Sequence, residues 1–140
     1  MDDNLRRKII PPDDLERFDR RKTPPTEDPW VTRTSTGYFV YNPASYAALG
    51  SPAAVEYLYS PKEQILGFRA ADPDERHTYP VYHQGHSRNY QSAGQAFHTY
   101  YGLSTDQALR YKAELIGDTL YIDLNDESAV PVGRKSRSEG

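Results

Sequence analysis

Four histidines and two arginines are the side chains whose type and spacing invite chemistry. His83 and His86 bracket the turn "HQGH", with His77 and the acids Asp72, Asp74 and Glu75 shortly before them. Zinc accepts imidazole and carboxylate ligands, so His77, His83 and His86 would be the ligands of a metal-dependent enzyme. Two histidines that flank a Gln-Gly turn do not share one helix face, however, and neither an HExxH frame nor any cysteine supports them. His98 lies in "YQSAGQAFHTYYG", residues 90–102, among four aromatics and without a neighbouring acid or base charged at neutral pH. There is no GxSxG nucleophile elbow, no phosphate-binding loop and no GxGxxG fingerprint. The acids fall in connectors and turns, where carboxylates are solvated. The expectation is a protein that is not an enzyme, with no cofactor and no bound metal.

Arg33 and Arg88 invite a different chemistry, contact with phosphate or with a base edge. Both stand beside predicted turns. Their setting is mildly acidic: residues 36–124 carry six basic and nine acidic side chains, while residues 1–35 carry eight of each. Such a balance opposes a dominant non-specific nucleic-acid binder, which needs clustered Lys and Arg, yet it permits a small basic patch. No apolar run reaches the length of a membrane span, and "MDDNLRRKIIPPDD" has neither the apolar stretch nor the cleavage site of a secretory signal. Without cysteine there are no disulfides. The expectation is a cytoplasmic protein with no membrane partner.

The elements that must position these residues divide the chain into three regions. Residues 1–28 read as a flexible, charged, Pro-rich tail, punctuated by "IIPPDD" and "KTPPTEDP". Within it "DDLERFDRRK" would make about two helical turns, with Asp13 as cap and Leu15 and Phe18 on one face. Residues 125–140 read as a disordered tail. Residues 29–124 read as one domain, mainly β with short helices, an α+β class.

Inside that domain one order occurs twice. "WVTRT" and "YFVYN" are strands around the "STG" turn; "PASYAALG" opens with Pro and ends in Gly, as a short helix does; "VEYLYS" and "QILGFRA" flank "PKE" as a hairpin. After the connector "ADPDERH", the strand-like "TYPVYHQ" and "NYQS" flank "GHSR". The helical "GQAFHTYYG" follows, and "ALRYKAELI" and "TLYIDL" then flank the Gly-Asp turn. The units span about 29–71 and 77–124. Tyr57 matches Tyr111, and Leu66 and Phe68 match Leu120 and Ile122. A repeat built for shape explains both helical segments, so His98 belongs to the frame and not to a catalytic site. One unit alone has a small core and open strand edges, so two are expected to bury each other with pseudo-twofold symmetry. The expected core is Phe39, Tyr46, Leu49, Val55, Leu66 and Phe68 from the first unit. Val81, Phe97, Leu109, Leu115, Leu120 and Ile122 come from the second.

This doubled ββαββ order, carried by "TGYFVYNPASYAALG" with "ILGFRA" and by "NYQSAGQAFHTYYG" with "ALRYKAELIGDTLYIDL", resembles the swapped-hairpin AbrB-like fold in its single-chain, MraZ-type form. The sequence departs from the family pattern at Tyr38, which stands where an arginine is usual, and the second copy has Gly94 where the first has Pro43. The resemblance implies a small DNA-binding transcriptional regulator, active as a monomeric pseudo-dimer or a homo-oligomer. Its duplex contacts would come from the first-hairpin turns, through Arg33, Thr34 and Tyr38 in one unit and His86, Ser87 and Arg88 in the other. The twelve tyrosines suit half-buried strands. They also keep open the alternative of a non-catalytic protein-interaction module, antitoxin-like or a phage or plasmid accessory protein.

Overall fold

In the computed structural model the described residues are 9–15 and 27–132, and they form two antiparallel sheets with two short helices. In chain order these are β1 (Trp30–Arg33), β2 (Phe39–Tyr41), helix α1 (Pro43–Ala48), β3 (Ala54–Ser60) and β4 (Ile65–Ala71). Then come β5 (Tyr79–Pro80), β6 (Tyr82–His83), β7 (Tyr90–Ser92), helix α2 (Gln95–Tyr101), β8 (Leu109–Lys112), β9 (Glu114–Ile116), β10 (Thr119–Asp123) and β11 (Val130–Pro131). The class is the expected one, mainly β with short helices. The two-turn helix expected over residues 13–22 lies mostly outside the described residues, and Asp13 and Asp14 stand in a turn.

Local chemistry explains the element ends. The Asn42 carboxamide oxygen accepts from the Ser45 N–H at 3.0 Å, and Pro43 occupies the first turn, so α1 begins there. Helix α2 stops at Gly102, whose φ of 66° places it in the left-handed region that closes helices. The Thr34 hydroxyl accepts from the Tyr38 N–H at 3.0 Å and fixes the β1–β2 turn.

The six-stranded sheet runs β11-β8-β1-β2-β7-β6 and the five-stranded sheet β5-β3-β4-β10-β9. Two pairings join strands distant in sequence: β1 pairs with β8, and β5 pairs with β3. At the centre of the first sheet Phe39 faces Ser92 and Tyr41 faces Tyr90. At the centre of the second, Leu66 faces Ile122 and Phe68 faces Leu120. The four residues matched in sequence thus form one reciprocal set across β4 and β10.

The core lies between the sheets. Val31, Phe39, Tyr41 and Tyr111 from one meet Val55, Leu66, Phe68, Leu120 and Ile122 from the other, with Leu49 and Phe97 closing the ends. The Phe39 and Phe68 rings meet edge to face at 5.0 Å. Between them runs a buried polar chain. Tyr41 and Tyr57 each reach the Ser92 hydroxyl at 2.7 Å, and Tyr57 donates on to the Ala93 carbonyl at 2.5 Å. Burial holds both phenols well above their ordinary pKa.

Three expectations need correction. Leu115, placed in the core, is 44% exposed, because "ALRYKAELI" is not one strand. It breaks at Ala113, whose N–H bonds to the Pro29 carbonyl at 3.0 Å, and passes from the first sheet as β8 to the second as the edge strand β9. "TYPVYHQ" divides likewise at Val81, which bonds to the Ala53 carbonyl. Nor does order stop at residue 124. Asp123 and Asp126 carboxylates accept backbone N–H groups of Asn125 and Ser128, and the turns they make return the chain so that Val130 and Pro131 pair with β8.

Candidate nucleic-acid interface on the six-stranded sheet

Strand alternation sorts the first sheet into two faces. Val31, Phe39, Tyr41, Ser92 and Tyr111 point into the core. Their neighbours lie on the other face, and the register aligns one from every strand in a single row: Val130, Arg110, Thr32, Val40, Gln91 and Tyr82, of which Val40 is itself covered, at 7% exposure. At ~4.8 Å per strand the row is about 24 Å long. In the adjoining row Lys112 faces Trp30. The Arg110 guanidinium lies 5.5 Å from the centre of the Trp30 ring, a cation–π arrangement.

Arg88 joins this face from the β6–β7 turn. A cavity of about 370 Å³ is lined by Arg88, Asn89, Arg110, Trp30, Thr32 and Glu27, among others. The Arg88 side chain is 78% exposed, and a Glu27 carboxylate oxygen lies 3.7 Å from it. Arg88, Arg110 and Lys112 thus place three cations on one surface. Lys112 also borders a groove that carries Asp28, Glu114, Asp123 and Asp126; on the outside of the second sheet Glu56 and Arg69 neutralise each other at 2.6 Å, directly opposite in register.

The residues expected to contact DNA are distributed differently. Arg33 is 8% exposed, since its position in β1 alternates inward with Val31. Its Nε donates to His98 Nε2 at 3.1 Å, one terminal nitrogen donates to the Tyr111 hydroxyl at 2.9 Å, and the other to the Ser104 carbonyl at 3.0 Å. The guanidinium therefore joins β1, α2, the loop after α2 and β8 inside the molecule. His98 Nδ1 must carry its proton, because it lies 2.7 Å from the Gly94 carbonyl, which only accepts. Nε2 is then the lone pair that meets Arg33. Burial, and next the Arg33 charge, hold the His98 pKa below its ordinary value.

Thr34 and Tyr38 are half-buried in the β1–β2 turn, where the Thr34 hydroxyl is engaged with Thr36 and with the Tyr38 backbone. His86 is exposed. The Ser87 hydroxyl closes its own turn by donating to the Gln84 carbonyl at 2.8 Å. Because β2 and β7 are antiparallel, the two first-hairpin turns stand at opposite ends of the sheet. The structure does not bring Arg33 and Arg88 together. It brings Arg88 to Arg110, with Lys112 two residues on along β8, and sequence reasoning passed over both β8 cations. Their signal was present: in "LRYK" the cations alternate with Leu109 and Tyr111, a two-residue period that puts both on one face.

Among the described residues, no group of three or more metal-ligating side chains gathers in one place, His77, His83 and His86 included. No helix among them is long and apolar enough to cross a membrane. Comparison with protein-family models, with curated proteins and with solved structures yields no match.

Proposed function

We propose that this chain is a small, non-catalytic duplex-DNA-binding regulator that meets DNA with the outer face of its six-stranded sheet. The observation that carries the reading is the convergence of Arg88 and Arg110 on that face, with Lys112 brought to it by strand alternation, beside Trp30 and an outward Tyr82 that is 62% exposed. Cations neutralise phosphates, while the aromatic and amide side chains between them offer stacking and hydrogen bonds. Sheets are known readers of DNA grooves. The exchange of first strands between the halves, together with the reciprocal registers at both sheet centres, favours an internally duplicated, AbrB-like frame with pseudo-twofold symmetry. The test is fluorescence anisotropy with random duplex DNA at low and at moderate salt. Micromolar binding that weakens steeply with salt is expected, and absence of binding at low salt removes the sheet face as a phosphate surface.

One observation favours the second reading, a protein-interaction module. Tyr57, Tyr79, Phe97, Tyr100 and Tyr101 line a cavity of about 310 Å³ at the opposite side of α2 from His98, and Tyr100 is 81% exposed. Clustered tyrosines of this kind anchor protein partners. Capture of a partner that Tyr100→Ala abolishes, in a protein without salt-dependent DNA binding, would select this reading.

A further inference from the structure

A second groove lies apart from the arginine-lined cavity, and Lys112 stands on the border between its rim and the outer face of the six-stranded sheet. The groove has a volume of about 830 Å³ and opens where the chain crosses from β8 to β9. Its floor is apolar, formed by Ile65, Ile116, Tyr121 and Ile122. Two of these are large side chains left in water, Ile116 at 57% and Ile65 at 37% exposure. Its rim is acidic, with Asp28, Glu114, Asp123 and Asp126 against the single cation Lys112. A second uncovered apolar pair belongs to the same chain: Ile9 is 85% and Ile10 82% exposed. In sequence that pair is preceded directly by Arg6, Arg7 and Lys8 and followed by Pro11 and Pro12. Asp28 and Pro29, through which the N-terminal arm enters the fold, are themselves part of the groove wall.

We propose that this groove is the docking site of the chain's own Ile9–Pro12 segment, whose isoleucines cover Ile65 and Ile116 while the preceding basic residues face the acidic rim. The chemistry matches at both levels. Apolar side chains exposed on both partners leave water together. Three cations meet a rim with a net excess of acid. The stretch from Asp13 to Asp28 reaches at most about 50 Å, enough to return to the groove from its own wall, and closing a loop of that length costs little more than closing a short one. The two prolines keep the segment extended, which lowers the entropy lost on docking.

The absence of cysteine makes a direct test simple, since one introduced thiol carries a label to a single place. A nitroxide spin label is attached to full-length Asp13→Cys, and paramagnetic broadening of amide signals is read across the fold. Docking predicts strong broadening over Glu114–Ile116 and Tyr121–Asp123 and little at Thr99–Gly102. It also predicts persistence when labelled chains are diluted with unlabelled ones. Adding Ile9→Asp and Ile10→Asp should cut the broadening about tenfold or more, because each buried Ile contributes enough to shift an equilibrium by that factor. High salt should weaken it too. Broadening that is uniform, absent, or indifferent to the two Asp substitutions overturns the proposal. So does broadening seen only between chains in a mixed sample, which would make a second copy the occupant.

Discussion

Arg33 Nε donates to His98 Nε2 at 3.1 Å, joining two residues 65 positions apart in the chain. From sequence Arg33 reads as a DNA-contacting cation near a turn, and His98 as part of the frame. Together they form a neutral-acceptor cradle for a buried charge: imidazole, phenol and carbonyl receive the guanidinium. Charge-assisted hydrogen bonds of this kind tie elements together when every partner is present.

Removing the guanidinium should therefore destabilise the fold. Arg33→Ala leaves the Tyr111 hydroxyl, His98 Nε2 and the Ser104 carbonyl without their donor, and a cost of about 3 kcal/mol is expected. Urea unfolding followed by Trp30 fluorescence measures it. A loss below ~0.5 kcal/mol, within the range of ordinary surface substitutions, would show that the cradle contributes nothing.

The DNA surface makes the opposite demand. Arg88→Ala with Arg110→Ala should leave the urea midpoint nearly unchanged while flattening the salt dependence of DNA binding by about two, at ~1 phosphate contact per arginine. Arg110 also packs on Trp30, so a small stability loss from that site is expected. Equal DNA affinity and slope in the double variant would place the contacts elsewhere.

His98 gives stability a pH dependence of definite sign. Its folded pKa lies below the unfolded value, so above about pH 6.5 both states are neutral and the site adds no slope. As pH falls through that value the unfolded chain takes up a proton that the folded one refuses. Stability is lost until the lower folded pKa is reached. Unfolding curves across this range should show the wild-type chain losing more than His98→Gln, whose amide keeps a donor and an acceptor. Parallel pH profiles would mean that the imidazole does not titrate differently in the two states.

Ser92→Ala probes the polar chain in the core. One hydroxyl there serves both Tyr41 and Tyr57 at 2.7 Å, so its loss strands the buried Tyr41 phenol and leaves Tyr57 only its bond to the Ala93 carbonyl, at about 1–3 kcal/mol. Tyr41→Phe in the same background should cost less than it does in the wild type, because its partner is already gone. Additive losses in this cycle would show that the three hydroxyls are not coupled.

Gly94 is held by space. A Cβ built on it would come within 2.5 Å of the Gly37 carbonyl oxygen and 2.6 Å of the Phe39 ring, where α2 starts against the β1–β2 turn. The carbonyl is backbone and cannot rotate away, so Gly94→Ala should cost about 1–3 kcal/mol. A thermal midpoint within a degree of wild type would refute the close approach.

The sequence made some of this legible and left the rest to tertiary structure. The strands around "STG" and "PKE", the Pro-opened helix and the Gly-closed one are each written in local chemistry, and they stand where read. Leu66, Phe68, Leu120 and Ile122 were legible because period-two alternation in a hairpin fixes which side is buried. Arg33 was misplaced because a cation beside a turn is normally on the surface. What buries it is the company of His98 and Tyr111, from segments 65 and 78 residues away, and no local pattern carries that information. The break at Ala113 was hidden for the same reason. Its cause is the Pro29 carbonyl, just before β1 and 84 residues away in the chain.

Because β1 pairs with β8 and β3 with β5, the two sheets are completed only late in synthesis. Trp30 finds its partner in Lys112, so one edge of β1 stays open until the chain has been made well past the connector at residues 72–78. During synthesis, at about 5–20 residues per second, the early half spends several seconds with an unclaimed row of amides and carbonyls. Contacts this distant in sequence form slowly. The period before β8 arrives is therefore the interval in which this chain is most open to pairing with the wrong strand, including the same edge of a neighbouring nascent copy.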